Sequence, residues 1–431
     1  MNKSSRIAVI GSGIAGLGAA WLLSRAHWVT LFEKNGYIGG HSHTVDAPGS
    51  DGTRPVDTGF IVYNERNYPQ LSALFDHLHV TTRPTGMSFS ASIDQGRIEY
   101  AGTNLRTLFA QPRNAFRPRF LRMIADILRF NRETRRRLAG NAFFGESLGE
   151  FLEQGGFGPD LADHYLLPMG AAIWSCPTEQ MRAFPMASFA RFFHNHGLLD
   201  LHNRPQWRTV VGGSHRYVQA MLGTMSGQAC TDQGVRSVRP EAGGVTVTLA
   251  DGSQQRFDQV VIAAHADQAL AMLADPEPIH RRLLGSFGYQ SNDAWLHGDE
   301  ALMPRRRAVW SAWNYLATQA RGTTDAVSVS YWMNRLQGIE GDPYFVSLNP
   351  LQPPAEDRVH ARMTYDHPVF DARAMTAQKQ LHQLQGRGGI WFCGSYFGYG
   401  FHEDALQSAV RVASALGVET PWSINSRGGE P

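Results

Sequence analysis

The chain has 431 residues, of which 42% are hydrophobic and 18% charged, and its formal net charge is only +2. This length accommodates two or three domains with their own cores, and the near-neutral charge argues against a nucleic-acid-binding protein. Because no apolar run is long enough to cross a bilayer and no apolar leader opens the chain, we expect a cytoplasmic protein without a membrane-spanning helix.

The first predicted elements are a strand at Arg6–Ile10, a glycine-rich turn, a helix over residues 17–25 and a second strand at Trp28–Phe32 that ends in Glu33. This is the order of a βαβ dinucleotide-binding unit. The helix N-terminus offers free N–H groups and a partial positive charge to phosphates. Glu33 offers a carboxylate to a ribose hydroxyl, so we predict a dinucleotide site here.

The turn reads Gly11-Ser12-Gly13-Ile14-Ala15-Gly16. Gly11 permits the sharp turn, Gly13 lets a pyrophosphate approach the backbone, and Gly16 lets helix and sheet pack closely. The pair Gly39-Gly40 beyond the acid is predicted to form a loop close to the same phosphates.

Residues 56–63 are predicted to form a strand, in which Gly59 would let a flat ring approach the backbone. Residues 71–207 differ in character, because the segment 104–140 contains ten arginines against Asp126 and Glu133. Its apolar residues recur at helical spacing, which predicts a basic amphipathic helix. Two interpretations stay open: an ordinary helix with its apolar face in the core, or contact with a membrane surface or anionic lipid headgroups.

Short strands are predicted within residues 235–258, and residues 259–264 form an apolar run typical of a buried parallel strand. Residues 285–380, rich in Trp, Tyr and Met, are predicted to form a second sheet that is part of a substrate cavity. Near the C-terminus, a strand enters a glycine-rich turn at residues 394–400, and a helix follows to about residue 416.

Together these segments resemble the flavin-containing amine oxidase and phytoene-desaturase superfamily, and more narrowly a bacterial subgroup of NAD/FAD-binding oxidoreductases. The resemblance is carried by the N-terminal βαβ unit, by residues 36–44 and 56–63, and by the Gly-Tyr-Gly-Phe-His-Glu-Asp segment at residues 398–404. It implies an α/β fold: a Rossmann-like, glutathione-reductase-like FAD-binding domain with an interleaved α+β substrate domain. The expected borders are 1–70, 208–284 and 385–420 for the FAD-binding domain, 71–207 and 285–384 for the substrate domain, and 421–431 for a flexible tail.

The resemblance also implies bound FAD, with Glu33 on the adenosine ribose and the backbone of Val235 at the adenine. The residues expected to bind the cofactor are Gly11, Ser12, Gly13, Ala15, Gly16, Glu33, Lys34, Gly39, Gly40, His41, Thr58, Gly59, Val235, Gly394, Ser395, Gly400, Phe401 and His402. Two of them depart from the family pattern. Ser395 stands where an acid is usual, and His41 follows the Gly-Gly pair where an arginine is usual.

Lysine usage limits the chemistry. Of the 40 basic residues, Lys3, Lys34 and Lys379 alone are lysines. Many amine oxidases of the superfamily use a mid-chain lysine to hold a water at flavin N5 and assist the reaction with oxygen, and this chain has none between Lys34 and Lys379. An efficient amine oxidase is therefore disfavoured.

The favoured function is an FAD-dependent dehydrogenase, desaturase or double-bond isomerase that transfers hydride between an apolar, lipid-like or fatty-acyl substrate and flavin N5. A flavin amine oxidase with an unusual oxygen site, and a flavoprotein accessory subunit of a lipid-modifying enzyme, are the alternatives. A peripheral position at the inner membrane would accompany the lipid-contact interpretation of residues 104–137. The substrate, the electron acceptor and the oligomeric state are left open.

No catalytic base stands out; Tyr63, Tyr399 and His402 are the candidates. Phe401, with Tyr399 beside it, either forms an aromatic cage at the flavin or simply packs. The pairs His41/His43 and His194/His196 lack an obvious third ligand, so we predict no metal. The cysteines are far apart, which fits a reducing compartment, and Cys176 and Cys393 are expected to be small buried apolar residues.

Overall fold

A computed structural model describes residues 4–140, 142–143, 145–174, 178–200, 204–318 and 326–424. Its strands are, in chain order, β1 (Arg6–Ile10), β2 (Trp28–Phe32), β3 (Thr44–Gly49), β4 (Gly52–Asp57), β5 (Tyr63–Asn64), β6 (Thr82–Thr85), β7 (Phe89–Ile93), β8 (Ile98–Ala101), β9 (Trp207–Val210), β10 (Gln228–Cys230), β11 (Val235–Glu241), β12 (Gly244–Leu249), β13 (Gln254–Phe257), β14 (Gln259–Ile262), β15 (Gly288–His297), β16 (Trp313–Thr318), β17 (Ala326–Trp332), β18 (Phe345–Leu348), β19 (Val359–Val369) and β20 (Ile390–Phe392).

The α-helices are α1 (Ile14–Leu23), α2 (Pro69–His77), α3 (Leu105–Leu108), α4 (Pro118–Ala139), α5 (Leu148–Gln154), α6 (Pro159–Leu161), α7 (Leu167–Trp174), α8 (Thr178–Arg182), α9 (Met186–Asn195), α10 (His215–Thr224), α11 (Ala266–Met272), α12 (Pro278–Leu284), α13 (Met333–Gln337), α14 (Ala372–Gln378) and α15 (His402–Ala415). Short 3-10 segments lie at Pro112–Phe116, Glu300–Leu302, Arg307–Val309, Glu356–Arg358, Leu381–Leu384 and Ser395–Phe397, and one π-helical turn lies at Ala162–Leu166. Within these described residues, no helix is both long enough and apolar enough to cross a membrane.

A five-stranded parallel sheet, in the order β10-β2-β1-β14-β20, forms the centre of the molecule. Its inner strands are continuous apolar runs, as expected of a parallel sheet that is covered on both faces. Because all five strands run the same way, the segments that follow β1, β2, β14 and β20 meet at one edge of the sheet.

The two ends of the chain pack against each other through α1 and α15. Gly18 of α1 leaves room for the side chains of Leu406 and Ala409, since a Cβ at Gly18 would lie 2.8 Å from Leu406 Cδ1. The buried side chains of α1 and α15 belong to one apolar cluster. A site at the edge of the sheet is therefore built from both termini.

A seven-stranded sheet, in the order β19-β15-β18-β17-β16-β7-β8, lies beyond the central sheet. The sequence predicted a second sheet in residues 285–380, but β7 and β8 from the first quarter of the chain also belong to it, with β7 parallel to β16. Three smaller sheets complete the architecture: β11-β12-β13, β3-β4 and β5-β9-β6.

The arginine-rich segment contains the predicted amphipathic helix, which is α4. Phe120, Met123 and Phe130 are buried on its inner face. Its N-terminus is preceded by α3 and by the 3-10 turn Pro112–Phe116, so residues 104–117 do not form a continuous helix with it.

One predicted element is wrong. Residues 56–63 do not form one strand, because β4 ends at Asp57 and the chain turns at Thr58-Gly59 before the short β5. The expected domain division stays a prediction; its borders at residues 70 and 207 fall within α2 and β9.

Candidate functional site

The glycine-rich turn after β1 is held against two neighbouring strands. Gly11 has φ +97° and donates its N–H to Phe32 O at 2.8 Å, and a Cβ on Gly11 would lie 2.8 Å from Ala263 O. A side chain at Gly16 would overlap the carbonyl of Gly11. Both glycines are therefore required by the packing of turn, helix and sheet.

Gly13 differs from its neighbours, because a Cβ placed there would meet no atom within 4 Å. Gly13 is also the N-cap of α1, which has neither a side-chain cap nor an acid in its first turn, although its first residues are buried. A buried helix N-terminus with unpaired N–H groups and open space in front of it suits an anion. The predicted pyrophosphate position thus fits the structure, and Ala15 and Gly16 lie in that first turn.

Glu33 is buried at the end of β2, and both its oxygens accept hydrogen bonds. Ser12 donates to Oε2 from its backbone N at 2.9 Å and from its Oγ at 2.6 Å, while Asn35 N donates to Oε1 at 2.9 Å. The carboxylate is thus fixed beside the turn, as the ribose-binding role requires. Lys34 is exposed, and Val235 starts β11 close by, since Gln233 N donates to Glu33 O.

The loop that contains Gly39 and Gly40 contacts the turn directly. Gly40 has φ +57°, and a Cβ there would lie 2.9 Å from Gly13 Cα. Farther along, a Cβ at Gly59 would overlap the carbonyl of His41, and Phe60 N donates to that carbonyl at 2.7 Å. The residues predicted at 39–41 and at 58–59 therefore lie together beside the turn.

The C-terminal segment completes this edge of the sheet. Cys393 N donates to Ile262 O, and Gly394 N donates to Ser408 Oγ of α15 at 2.9 Å. Ser395 begins a 3-10 turn, and Gly400, with φ +96°, packs against Phe370. The predicted residues from both ends of the chain are thus brought to one place.

A cluster of histidines, which the sequence did not predict, lies beside this site. The ring of His41 lies 5.4 Å from that of His367 and 6.4 Å from that of His265, between centroids, and 5.0 Å from that of Tyr365. Burial lowers the pKa of His41 well below its usual value and that of His367 to about 4, so both rings are neutral near pH 7.

Two nitrogens of the histidine cluster, His41 Nε2 and His265 Nδ1, are buried and have no hydrogen-bond partner among the described residues. Buried polar atoms normally have partners, so both are candidates to meet polar groups of a bound cofactor. Thr58, in the same region, bonds Tyr365 Oη at 2.6 Å. Of these residues, only His41 and Thr58 were predicted. His265 directly follows the apolar run 259–264 that was predicted as a buried parallel strand, and this position at a strand end could have indicated it.

His402 is the first residue of α15, and its ring contacts Phe60, Ser42 and Tyr217. It stacks on Phe60 with centroids 3.8 Å apart, and its Nε2 lies 2.9 Å from Ser42 Oγ and 3.4 Å from Tyr217 Oη. Burial lowers the pKa of His402 to about 3. The neutral imidazole can share hydrogen bonds with Ser42 and Tyr217 but does not supply an imidazolium near pH 7.

The other two candidate bases, Tyr63 and Tyr399, do not join His402. The hydroxyl of Tyr63 lies near Thr82 and Arg208, and that of Tyr399 lies near Arg191. Burial raises the pKa of each phenol above its usual value. Neither tyrosine is therefore placed as a base by contacts with the rest of the site.

Phe401 stacks on Phe192 of α9, with ring centroids 5.0 Å apart. The ring of His196 also stacks on that of Phe192, with centroids 3.8 Å apart, and the ring of Trp207 lies 6.1 Å from that of His196. Among the described residues Tyr399 has no ring contact with Phe401. Two rings on either side of a bound group would not touch each other, so the cage at the flavin stays a prediction. We call the group of Phe192, Phe401, His196 and Trp207 the aromatic wall.

The described residues contain no group of three or more His, Cys, Asp or Glu side chains that could hold a metal ion. Both described lysines, Lys34 and Lys379, are exposed. Cys393 is buried as expected and Cys230 is half-buried, whereas Cys176 lies outside the described residues.

The acids that follow His402 have long-range partners. Glu403 accepts from the backbone N of Gln70 and Leu71, at 2.8 and 3.0 Å, and Asp404 accepts from Phe401 N at 2.9 Å. Burial raises the pKa of Glu403 to about 7 and that of Asp404 to about 6. These acids anchor α2 and the 398–401 turn.

Comparisons with known proteins agree with this geometry. The profile of the family described as flavin containing amine oxidoreductase matches residues 14–417. Over 296 residues the chain is 25% identical to a Mycobacterium tuberculosis protein that carries the name flavin-containing monoamine oxidase AofH; the match spans 63% of this chain and 59% of that protein. The chain thus spans less than two thirds of this curated relative.

Two solved structures have a similar fold along nearly their whole length. One is a CLA-producing fatty acid isomerase from P. acnes, with TM-score 0.67 and 15% identity over 97% of this chain and 100% of that one. The other is a putrescine oxidase bound to putrescine, with TM-score 0.68 and 14% identity over 96% of this chain and 99% of that one. These likenesses confirm the predicted α/β fold class.

Proposed function

The chain belongs to the flavin-containing amine oxidoreductase family, and from this membership we propose that it is an FAD-dependent oxidoreductase whose substrate is an apolar, lipid-like molecule such as a fatty-acyl chain. The predicted FAD cofactor follows from the family. When bound, FAD supplies the two-electron redox chemistry, and the protein supplies orientation and electrostatic environment. Dehydrogenation, desaturation and double-bond isomerisation are the reaction types that suit such a substrate.

Residues of both termini would hold the cofactor. Glu33 would accept from the adenosine ribose, and the backbone at Gly13 with the first turn of α1 would face the pyrophosphate. His41 Nε2 and His265 Nδ1 would provide neutral polar contacts where the family usually has a fixed arginine charge. The segments at 394–395 and 400–402 would contact the flavin end.

The aromatic wall is the observation that favours an apolar substrate. Phe401 and Phe192 stack directly on one another, so no space for an ammonium group separates these two rings. A cation held between rings needs both faces free. A wall of Phe192, Phe401 and Trp207, with His196 neutral because burial lowers its pKa to about 4, suits a hydrocarbon chain.

Lysine placement favours slow reaction with oxygen. The lysines at 34 and 379 lie on the surface, and the chain between them has none. The protein therefore has no buried ammonium group there to organise water for oxygen activation, and we expect electrons to go back to the substrate or to another acceptor.

The helix α15 begins at His402, next to Ser42 and Phe60. The partial positive charge of this helix end stabilises negative charge that develops near it. Ser42 and Tyr217 keep the His402 ring in place, so that a proton held at its Nε2 has defined partners.

The test is anaerobic mixing of the FAD-loaded protein with unsaturated fatty acids, their acyl esters and a set of amines, followed by absorbance at the flavin band and product analysis. We expect bleaching or an isomerised product with an apolar substrate, and peroxide formation in air far below oxidase rates. Rapid bleaching by an amine together with stoichiometric peroxide would overturn the proposal.

The name of the M. tuberculosis relative supports a second candidate, an amine oxidase, and the amine arm of the same assay decides it. If no small molecule alters the flavin, while the protein raises the activity of a lipid-modifying partner enzyme, the accessory-subunit alternative replaces both.

A further inference from the structure

We propose that the outer surface formed by α3, the 3-10 turn Pro112–Phe116 and α4 binds the surface of an anionic lipid membrane. We call this surface the arginine ridge. Its exposed apolar side chains are Leu105, Phe116, Leu121 and Leu128, and its basic side chains include Arg106, Arg117, Arg122 and Arg132. The proposal does not depend on the identity of the substrate.

The exposed apolar side chains of the ridge are concentrated rather than scattered. Phe116 is 86% exposed and Leu105 is 74% exposed, and Leu121 and Leu128 are more than two fifths exposed. Of the nine large hydrophobic side chains that are exposed in the described part of the chain, these four lie within residues 105–128. Single exposed apolar residues are ordinary on a protein surface, but such a concentration marks an interaction site.

The helix α4 has two different apolar faces. Phe120, Met123 and Phe130 are buried against the body of the protein, whereas Leu121 and Leu128 lie one heptad apart on the outer side, with exposed Ala125 between them. Packing in the core accounts for the apolar residues on the inner face of α4, but not for those on its outer side. The side chains of the outer stripe stay exposed to solvent in the described part of the chain.

The charge of the ridge selects the occupant. Its segment has ten arginines and two acids, Asp126 and Glu133, and each of these acids is already paired with two arginines of α4. Arg106, Arg117 and Arg132 form no ion pair with a described acid. Guanidinium groups bind phosphate oxygens in a bidentate manner, so these arginines without an acidic partner match anionic lipid headgroups.

Basic and apolar residues alternate on the ridge in the way that suits a lipid interface. A membrane accepts isolated Phe and Leu side chains at the level of the acyl chains while arginines meet the phosphates. A protein partner would instead need a continuous core of buried contacts. The narrow stripe on α4, with arginines on either side, therefore favours lipid.

The test is sedimentation of the FAD-loaded full chain with vesicles of phosphatidylglycerol and phosphatidylcholine, and with vesicles of phosphatidylcholine alone. We expect binding to the anionic vesicles, weakened by added salt, and little binding to the neutral ones. The apolar variant Leu105→Ser/Phe116→Ser and the charge variant Arg106→Gln/Arg117→Gln/Arg132→Gln should each bind at least tenfold more weakly.

The matched control is Arg66→Gln/Arg236→Gln/Arg281→Gln, in which three exposed arginines outside the ridge are replaced. It should bind the vesicles like the wild type. Thermal unfolding of each variant, monitored by flavin release, verifies that the fold is retained. Equal binding of all four proteins, equal binding to neutral and anionic vesicles, or no vesicle binding alongside ridge-dependent capture of a protein would each overturn the proposal.

Discussion

At the scale of single residues, Gly13 separates a requirement of the cofactor from a requirement of the fold. Its backbone angles, φ −60° and ψ 173°, are open to any residue, and a Cβ there meets no protein atom within 4 Å. Gly16, three residues on, has no such space. Two glycines of one motif are thus kept for different physical reasons.

We expect Gly13→Ala to leave the free energy of unfolding of the apoprotein within about 0.5 kcal/mol of the wild type. Its FAD affinity should fall by at least about tenfold, which is about 1.4 kcal/mol, because the methyl group enters the space in front of the helix N-terminus. Fluorescence titration with FAD and urea unfolding measure the two quantities.

The matched variant is Gly16→Ala, which we expect to destabilise the apoprotein by about 3 kcal/mol, since its methyl group would overlap Gly11 O and press on Ala263. If Gly13→Ala binds FAD as tightly as the wild type, the pyrophosphate is not bound over this turn.

Much of the site at this scale follows from the sequence, because the glycine turn, Glu33 and the Gly39-Gly40 pair are local patterns with a local reason. The histidine cluster does not, since it joins residues from three distant segments, His41, His265 and His367. No spacing rule connects a loop after β2, the residue that precedes α11 and the C-terminal part of β19. Only the pairing of strands reveals that they meet.

At the scale of elements, the helix α2 depends on a residue more than three hundred positions away. Glu403 accepts from the backbone N of Gln70 and Leu71 in the first turn of α2, which has no side-chain cap of its own. Glu403 lies in the first turn of α15, where an acid also favours the helix dipole. Its contact with α2 was not predictable, because nothing near residue 70 indicates the missing cap.

We expect Glu403→Ala to lower the free energy of unfolding by about 2–3 kcal/mol, since two N–H groups lose their acceptor in a buried place. Glu403→Gln keeps one of the two acceptor oxygens, so one N–H keeps its partner, and it should cost about half as much, about 1–1.5 kcal/mol. Chemical unfolding at pH 7 compares the two. Equal losses for Ala and Gln would mean that the cap is not what Glu403 contributes.

The predicted elements were best where periodicity was local, as in β1, β14 and α15, and failed where a tertiary contact decided. Residues 56–63 have a strand-like composition, yet the chain turns at Gly59 because the carbonyl of His41 occupies the space beside it. Likewise, β7 has no sequence feature that assigns it to β16.

At the scale of the whole molecule, neutral buried histidines make stability depend on pH. Burial lowers the pKa of His196, His297 and His367 to about 4 and that of His402 to about 3. A group with a depressed pKa contributes stability that is present above its unfolded pKa, about 6.5, and is lost as the pH falls through its folded pKa. The protein should therefore weaken steeply between pH 6.5 and pH 4.

His297 tests this without touching the cofactor site, because it lies in the seven-stranded sheet and bonds Ser347 Oγ at 2.8 Å. Between pH 6 and pH 5 we expect the wild type to lose about 1 kcal/mol more than His297→Gln, since only the histidine takes up a proton on unfolding. Urea unfolding of both proteins at the two pH values gives the difference, in which all other titrating groups cancel.

If the two proteins lose the same stability over this interval, His297 is not held neutral by the fold. Buried carboxyls oppose the histidines: burial raises the pKa of Asp57 and Asp404 to about 6, and the stability they contribute is lost as the pH rises. The balance predicts a maximum of stability near neutral pH.

The parallel sheet places the strand from residues 390–392 next to the one from 259–262, which in turn lies next to the first strand of the chain. A polypeptide emerging from the ribosome can form β1, β2 and β14 early, whereas β20 and the residues proposed to contact the flavin belong to the last tenth of the chain. With the proposed site, loading with FAD requires completed synthesis. We expect a prematurely terminated product to expose an unfinished sheet edge, recognisable to chaperones and proteases, and to stay colourless.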